Sequence, residues 1–196
     1  MTDIFVPSFT LARRALFARG GRMALSATAV ALLAGNDALA ASVTQVADAG
    51  TAADIDILNT ALGAEQEAIA AYQVGAESGL LKKPALDLAV TFQGHHKAHA
   101  DLLAATVKKL GGTPGEAKKT ADYRFPTDKL KTDADVLRFA AGLEKGAVSA
   151  YLGAIPLFAN RDLAKAAGSI LGDEAMHWAV LRHALGDAPV PEAFVA

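Results

Sequence analysis

Six ionisable side chains stand on helical stripes that should otherwise be apolar: Glu65, His96, His99, Glu144, Glu174 and His177. Taken singly, a glutamate on a helix is usually solvated and a core histidine is usually hydrogen bonded within the protein. Here the pattern repeats. Glu65 is followed seven residues later by Tyr72, and Glu144 seven residues later by Tyr151. Seven residues are two helical turns, so each tyrosine shares a face with its glutamate. His99 follows Glu65 by 34 residues and His177 follows Glu144 by 33. Glu174 and His177 form an E-x-x-H segment, whose i and i+3 side chains can reach one point in a bundle core. A lone buried carboxylate is very costly. Several carboxylates and imidazoles at one level are stabilised best by a divalent cation.

The elements that must position these groups are four helices. The first is expected over 54–78, capped by Asp54, with Ile55, Leu58, Leu62, Ile69 and Tyr72 on the stripe that Glu65 interrupts. The second is expected over 84–110, opened by Pro84 and closed by Gly111-Gly112. His96 and His99 take two of its stripe positions between Phe92 and Leu103. Residues 111–132 show no sustained period and read as one long connection. Asp133 is expected to cap a third helix, with Leu137, Ala140, Val148 and Tyr151 around Glu144 and an end near Pro156. A fourth runs over 162–185, with Ile170 and Leu181 flanking Glu174 and His177. Two short loops and one long crossover are the layout of an all-α four-helix bundle. The chain looks like two related helix pairs offset by about 78 residues. Residues 187–196 read as an extended tail.

With these helices in view, ALGAEQEAIAAYQ (61–73), HKAHADLL (96–103), AGLEKGAVSAYLG (141–153) and GDEAMHWAVL (172–181) resemble the four metal helices of the ferritin-like superfamily. The resemblance covers residues 54–186 or so. It implies an up-down-down-up bundle with the crossover between helices two and three, holding a carboxylate-bridged di-iron or di-manganese centre. Glu65 and Glu144 would be terminal ligands, Glu174 a bridge, and His99 and His177 terminal imidazoles. One position departs: where the family carries a second E-x-x-H, this chain reads His96-Lys97-Ala98-His99. The set becomes three carboxylates and up to three imidazoles, which also suits zinc or a single ion. His95 points about 100° from His96 and reads as an outer or surface group, while Tyr72 and Tyr151 read as hydrogen-bond donors to the ligands. The expected activity is redox at an open metal position, with Fe(II), O2 or H2O2 as the small partners. The alternative is a non-catalytic structural or binding bundle of the cell envelope with a degenerate centre. A homodimer is compatible with either. A storage cage is less so, since no fifth helix follows Gly186.

Composition agrees with this class. The 196 residues are 52% hydrophobic but only 6% aromatic, which favours helices packed through Ala, Leu, Val and Ile. A net charge of −2 argues against a nucleic-acid surface, and the absence of cysteine excludes thiolate ligands and nucleophiles. The first forty residues read as an export signal. Arg13, Arg14, Arg19 and Arg22 precede a 13-residue apolar run, and Ala38-Leu39-Ala40 offers a small-x-small cleavage site with a mature start at Ala41. The run is too short for a membrane span. Arg13-Arg14 suggests the twin-arginine route, with general secretion as the alternative, and a periplasmic or otherwise exported destination. Residues 41–53 read as a flexible lead to the bundle, and the mature chain would carry 15 basic and 19 acidic residues.

Overall fold

The computed structural model describes residues 37–194, with side chains from residue 49 onward. The expected signal therefore lies largely outside the described residues, only its last four positions falling within them. The chain divides into two units, 1–47 and 48–196. Of the first, residues 37–47 are described, and they are helical. The second is the bundle.

Four helices carry the fold: α1 (Asp37–Glu77), α2 (Lys83–Lys109), α3 (Asp133–Ala154) and α4 (Arg161–Ala184). Among the described residues there is no strand, and no helix is long and apolar enough to cross a membrane. The start of α1 corrects the sequence reading twice. Residues 41–53 are helical rather than a flexible lead, and Asp54 lies inside the helix rather than capping it. Its carboxylate is 2% exposed and accepts from the backbone N–H groups of Ala159 (2.8 Å) and Asn160 (3.0 Å). An aspartate beside a helical pattern can satisfy free N–H groups of any nearby turn, and here it serves the turn before α4.

The other caps are local. Thr132, not Asp133, caps α3: its hydroxyl accepts from Asp135 N–H (3.2 Å) and the Asp135 carboxylate accepts from Thr132 N–H (2.9 Å), a reciprocal capping box. Asn160 caps α4 through Asp162 N–H. Helices α2 and α4 end alike. Gly111 and Gly186 adopt φ of 86° and 80°, and the following residue returns its N–H to Val107 and Arg182 respectively (both 2.9 Å). This Schellman arrangement needs a left-handed residue that only glycine adopts at little cost. Pro156 falls in a 3₁₀ turn, Ile155–Leu157, that follows α3.

Two apolar layers flank the interrupted stripes. One contains Leu58 and Leu62 of α1, Leu103 and Val107 of α2, Tyr151 of α3 and Ile170 of α4. The other contains Tyr72, Phe92, Leu137 and Leu181 from the same four helices. Passing from the first layer to the second, α1 and α4 run forward and α2 and α3 run backward, an up-down-down-up bundle. Because α2 and α3 are parallel, the chain must return the length of the bundle between them, which is the reason for the long crossover. Two short 3₁₀ turns punctuate it, Thr120–Asp122 and Thr127–Lys129. Asn59 of α1 donates to Thr113 O and accepts from Gly115 N–H, Gln66 donates to Gly115 O, and Phe125 packs edge-on against Phe139 of α3. The crossover is thereby held against both helices.

Candidate metal centre

Between the two apolar layers lies one polar layer, built from the stripe interruptions. Glu65, His96, Glu144, Glu174 and His177 are all between 0% and 3% exposed, and the His99 side chain is 13% exposed. The helices fix their height. Glu65 stands one turn beyond Leu62, Glu144 one turn beyond Ala140, and Glu174 one turn beyond Ile170, so the packing that seats the neighbours seats the carboxylates.

The contacts are short and cross between halves. Tyr151 donates to Glu65 Oε1 at 2.6 Å, and Tyr72 donates to Glu144 Oε1. Each tyrosine thus serves the glutamate of the opposite half, as a pseudo-twofold arrangement requires. His96 lies between the two glutamates, with Nδ1 2.8 Å from Glu65 Oε2 and Nε2 3.3 Å from Glu144 Oε1. His99 Nδ1 is 3.0 Å from Glu174 Oε1, and His177 Nδ1 is 3.3 Å from Glu174 Oε2. The ring of Phe92 stacks on His177 with centroids 4.1 Å apart, which fixes the plane of that imidazole.

Electrostatics within the layer follow from burial and pairing. Burial alone would neutralise Glu65, but hydrogen bonds from His96, His99 and Tyr151 outweigh it and bring its pKa down to about 2. Glu144 is likewise held well below the usual carboxylate range, against burial, by His177 and His96. Glu174 is the exception: burial raises it. Burial works against the charged imidazoles, yet Glu144 and Glu65 lift His96 to about 10. His99 and His177 rise to about 9 through Glu174 with Glu65 and through Glu144 with Glu174. Burial and the facing glutamates push both tyrosine hydroxyls up, so they remain donors.

Three buried atoms in this layer make no well-formed hydrogen bond: His99 Nδ1 and Glu174 Oε1, which face each other at 3.0 Å, and Glu144 Oε2, which lies 3.6 Å from His177 Nδ1. Each belongs to a group whose donor atoms lie within 4.8 Å of one another. One group is Glu65, His96, His99 and Glu174, and the other is His96, Glu144, Glu174 and His177. An orphaned buried acceptor or ring nitrogen is costly unless something binds it. Imidazole nitrogens and carboxylate oxygens at this spacing can hold a metal ion. The donor set therefore fits one.

All six residues singled out by their stripe positions converge here, with Tyr72 and Tyr151 against them. His95 lies at the edge, its side chain 45% exposed, with Nδ1 2.8 Å from His177 Nε2. The residue that stripe reasoning overlooked is Asp173. Its Oδ2 is 3.1 Å from His95 Nδ1, 3.3 Å from His99 Nε2 and 3.4 Å from His177 Nε2, and with His95 and His177 it makes a third group of close donors. Its position four residues before His177, on the same helical face, was the available signal. Asp173 also supplies a fourth carboxylate, on the Nε2 side of His99 and His177.

The comparisons agree with this geometry. The family model for the ferritin-like domain matches residues 53–187. Among solved structures, the chain is similar to the crystal structure of a conserved hypothetical protein, rv2844, from Mycobacterium tuberculosis. The likeness has a TM-score of 0.63 at 23% identity, over 74% of this chain and 99% of that one, and it speaks for the fold. A search of the curated proteins finds no match. With the four-helix topology, the mid-bundle layer of glutamates and histidines and the match over the whole bundle in agreement, this chain belongs to the ferritin-like domain family.

Proposed function

We propose that the protein is an exported metalloprotein that holds one or two iron or manganese ions in its mid-bundle layer. The observation that carries the reading is the set of three orphaned buried atoms shared between two overlapping donor groups. Glu65 and His99 would hold one ion, and Glu144 and His177 the other. Glu174 belongs to both groups, which suits a bridging carboxylate. When bound, such ions supply one-electron chemistry toward Fe(II), O2 or peroxide at an open coordination position.

The chain's own groups prepare that position. Tyr151 and Tyr72 hold one oxygen of each terminal glutamate by donating to it, while the other oxygen of Glu65 faces His96 Nδ1 and that of Glu144 makes no hydrogen bond. Asp173 faces Nε2 of both His99 and His177, and a proton held there leaves each Nδ1 lone pair facing the carboxylates. A neutral imidazole offers only one lone pair. His96 therefore completes one ion's set and leaves the other one donor short, an asymmetry that favours a tightly held first ion and a weaker second.

Metal analysis of the protein purified from its native compartment tests the reading. One or two ions per chain are expected, lost in Glu174→Ala; trace metal in the native protein, or metal retained by that variant, would overturn it. Export rests on the arginine-rich start, the apolar run and the Ala38-Leu39-Ala40 site. N-terminal sequencing of the native protein should begin at Ala41, whereas a chain still beginning at its first residues in the cytoplasm would remove this part of the proposal.

One observation favours a second reading. His96 spans Glu65 and Glu144 and is lifted to about 10, so its imidazolium can serve as the internal counter-charge of a metal-free, non-catalytic bundle. Such a bundle would keep its melting temperature under chelation, where a metal-dependent one loses several degrees.

A further inference from the structure

Beside the polar layer, α2 and α4 bring together a third set of donor atoms: His95 Nδ1, Asp173 Oδ2 and His177 Nε2. The triangle they make is small. Its edges are 2.8 Å from His95 Nδ1 to His177 Nε2, 3.1 Å from His95 Nδ1 to Asp173 Oδ2 and 3.4 Å from Asp173 Oδ2 to His177 Nε2. Zinc binds imidazole nitrogen and carboxylate oxygen at about 2.0–2.2 Å, so its tetrahedral ligands stand about 3.3–3.5 Å apart. Asp173 and His177 are four residues apart on one face of α4, and His95 reaches them from α2. The stack of Phe92 on His177 holds the plane in which Nε2 points. The triangle also opens outward: the His177 side chain is 2% exposed, but that of Asp173 is 24% and that of His95 45%.

We propose that His95, Asp173 and His177 form an exchangeable zinc-class site at the edge of the bundle, with water completing the coordination shell. Two imidazoles and one carboxylate suit zinc and the neighbouring late divalent ions, whereas calcium and magnesium take oxygen ligands. Three protein donors and one open position make a recurrent zinc arrangement. His177 serves this ion through Nε2. Its proton then lies on Nδ1, 3.3 Å from Glu174 Oε2, which accepts it. A neutral ring has one lone pair, so an edge ion on Nε2 and an inner ion on Nδ1 take His177 in turn. When the edge is empty, Asp173 accepts the Nε2 proton instead. The triangle is present without any ion in the inner layer, so the inference does not rest on the proposed inner centre.

Calorimetric titration of the chelator-treated, dialysed protein with zinc chloride tests it. His95→Ala removes a donor that belongs to neither inner group, and it is expected to lose one zinc equivalent. The iron and manganese content of that variant, purified from the native compartment, should stay unchanged. Calcium chloride should show no binding that depends on His95. In Glu174→Ala, which lacks the residue common to both inner groups, zinc-edge X-ray absorption at one equivalent should show two imidazoles, and one fewer once His95→Ala is added. Zinc binding that is the same with and without His95, or calcium binding that depends on it, would overturn the proposal. So would a loss of iron and manganese matching the loss of zinc, since His95 would then belong to the inner centre. Trace iron and manganese beside a His95-dependent zinc equivalent would overturn the inner reading alone. Should His95→Ala fail to fold, fewer than two imidazoles on the zinc of Glu174→Ala would still reject the site.

Discussion

At the residue scale, the polar layer is a set of charges that survive burial because each has a partner. The two tyrosines make this measurable. Tyr151→Phe removes the donor to Glu65 and Tyr72→Phe the donor to Glu144, each a buried hydrogen bond to a charged group. A loss of about 1.5–3 kcal/mol is expected for each, read by chemical denaturation. The two values should be similar, because the contacts are related by the pseudo-twofold arrangement. A null effect for either would mean that its carboxylate is not ionised in the fold.

The histidines predict a pH dependence for the metal-free protein. Their folded pKa values, about 10 for His96 and about 9 for His99 and His177, lie above the ordinary 6.5. Their stabilisation is therefore full below 6.5 and is lost as the pH rises through 9 to 10. Glu65, lowered from 4.5 to about 2, contributes in the opposite sense: its share is present above 4.5 and lost as the pH falls through 2. The chelated protein should melt highest between roughly pH 4.5 and 6.5 and lower at pH 9.5. Added metal must displace the imidazole protons, so the rise in melting temperature that it causes should grow from pH 6 to pH 8. Calorimetric melts with chelator and with added manganese check both trends, and a flat profile in chelator would contradict the assigned pairings.

At the element scale, the ends of the helices hold the registers that align the layer. Thr132→Ala removes the α3 capping box and should cost about 1 kcal/mol. Asp54→Ala should cost more, about 1–3 kcal/mol, because it strands two backbone N–H groups and empties a buried site at the turn before α4. Thermal melts of the two variants order them. Asp54 also shows how sequence reading is misled. An aspartate at the head of an apolar period has the signature of an N-cap, and nothing local reveals that its acceptors face a turn about 105 residues away. The Gly111 and Gly186 ends, by contrast, were legible, because a left-handed C-terminal residue is a local requirement.

At the scale of the whole molecule, the layer and the crossover are one arrangement. Two apolar layers exclude water from the glutamates and histidines, and a cavity of about 660 Å³ between α1 and α3 borders the layer. If the layer holds metal, chelation should lower the melting temperature of the native protein by several degrees, with Glu174→Ala already at the lower value. Differential scanning calorimetry with and without chelator makes the comparison, and identical melts would favour the imidazolium-balanced bundle.

The sequence by itself determined the helix count, the single long connection and the six interrupting side chains. Period 3.6, caps and turn glycines are local properties of the chain, and an ionisable group on an apolar stripe is visible without coordinates. Only the tertiary structure decided which groups meet. It paired each tyrosine with the glutamate of the other half, turned His96 across both carboxylates and brought Asp173 against three imidazoles. Those outcomes depend on the rotation and height of one helix against another. These are set by packing between residues tens of positions apart, which a one-dimensional pattern does not contain.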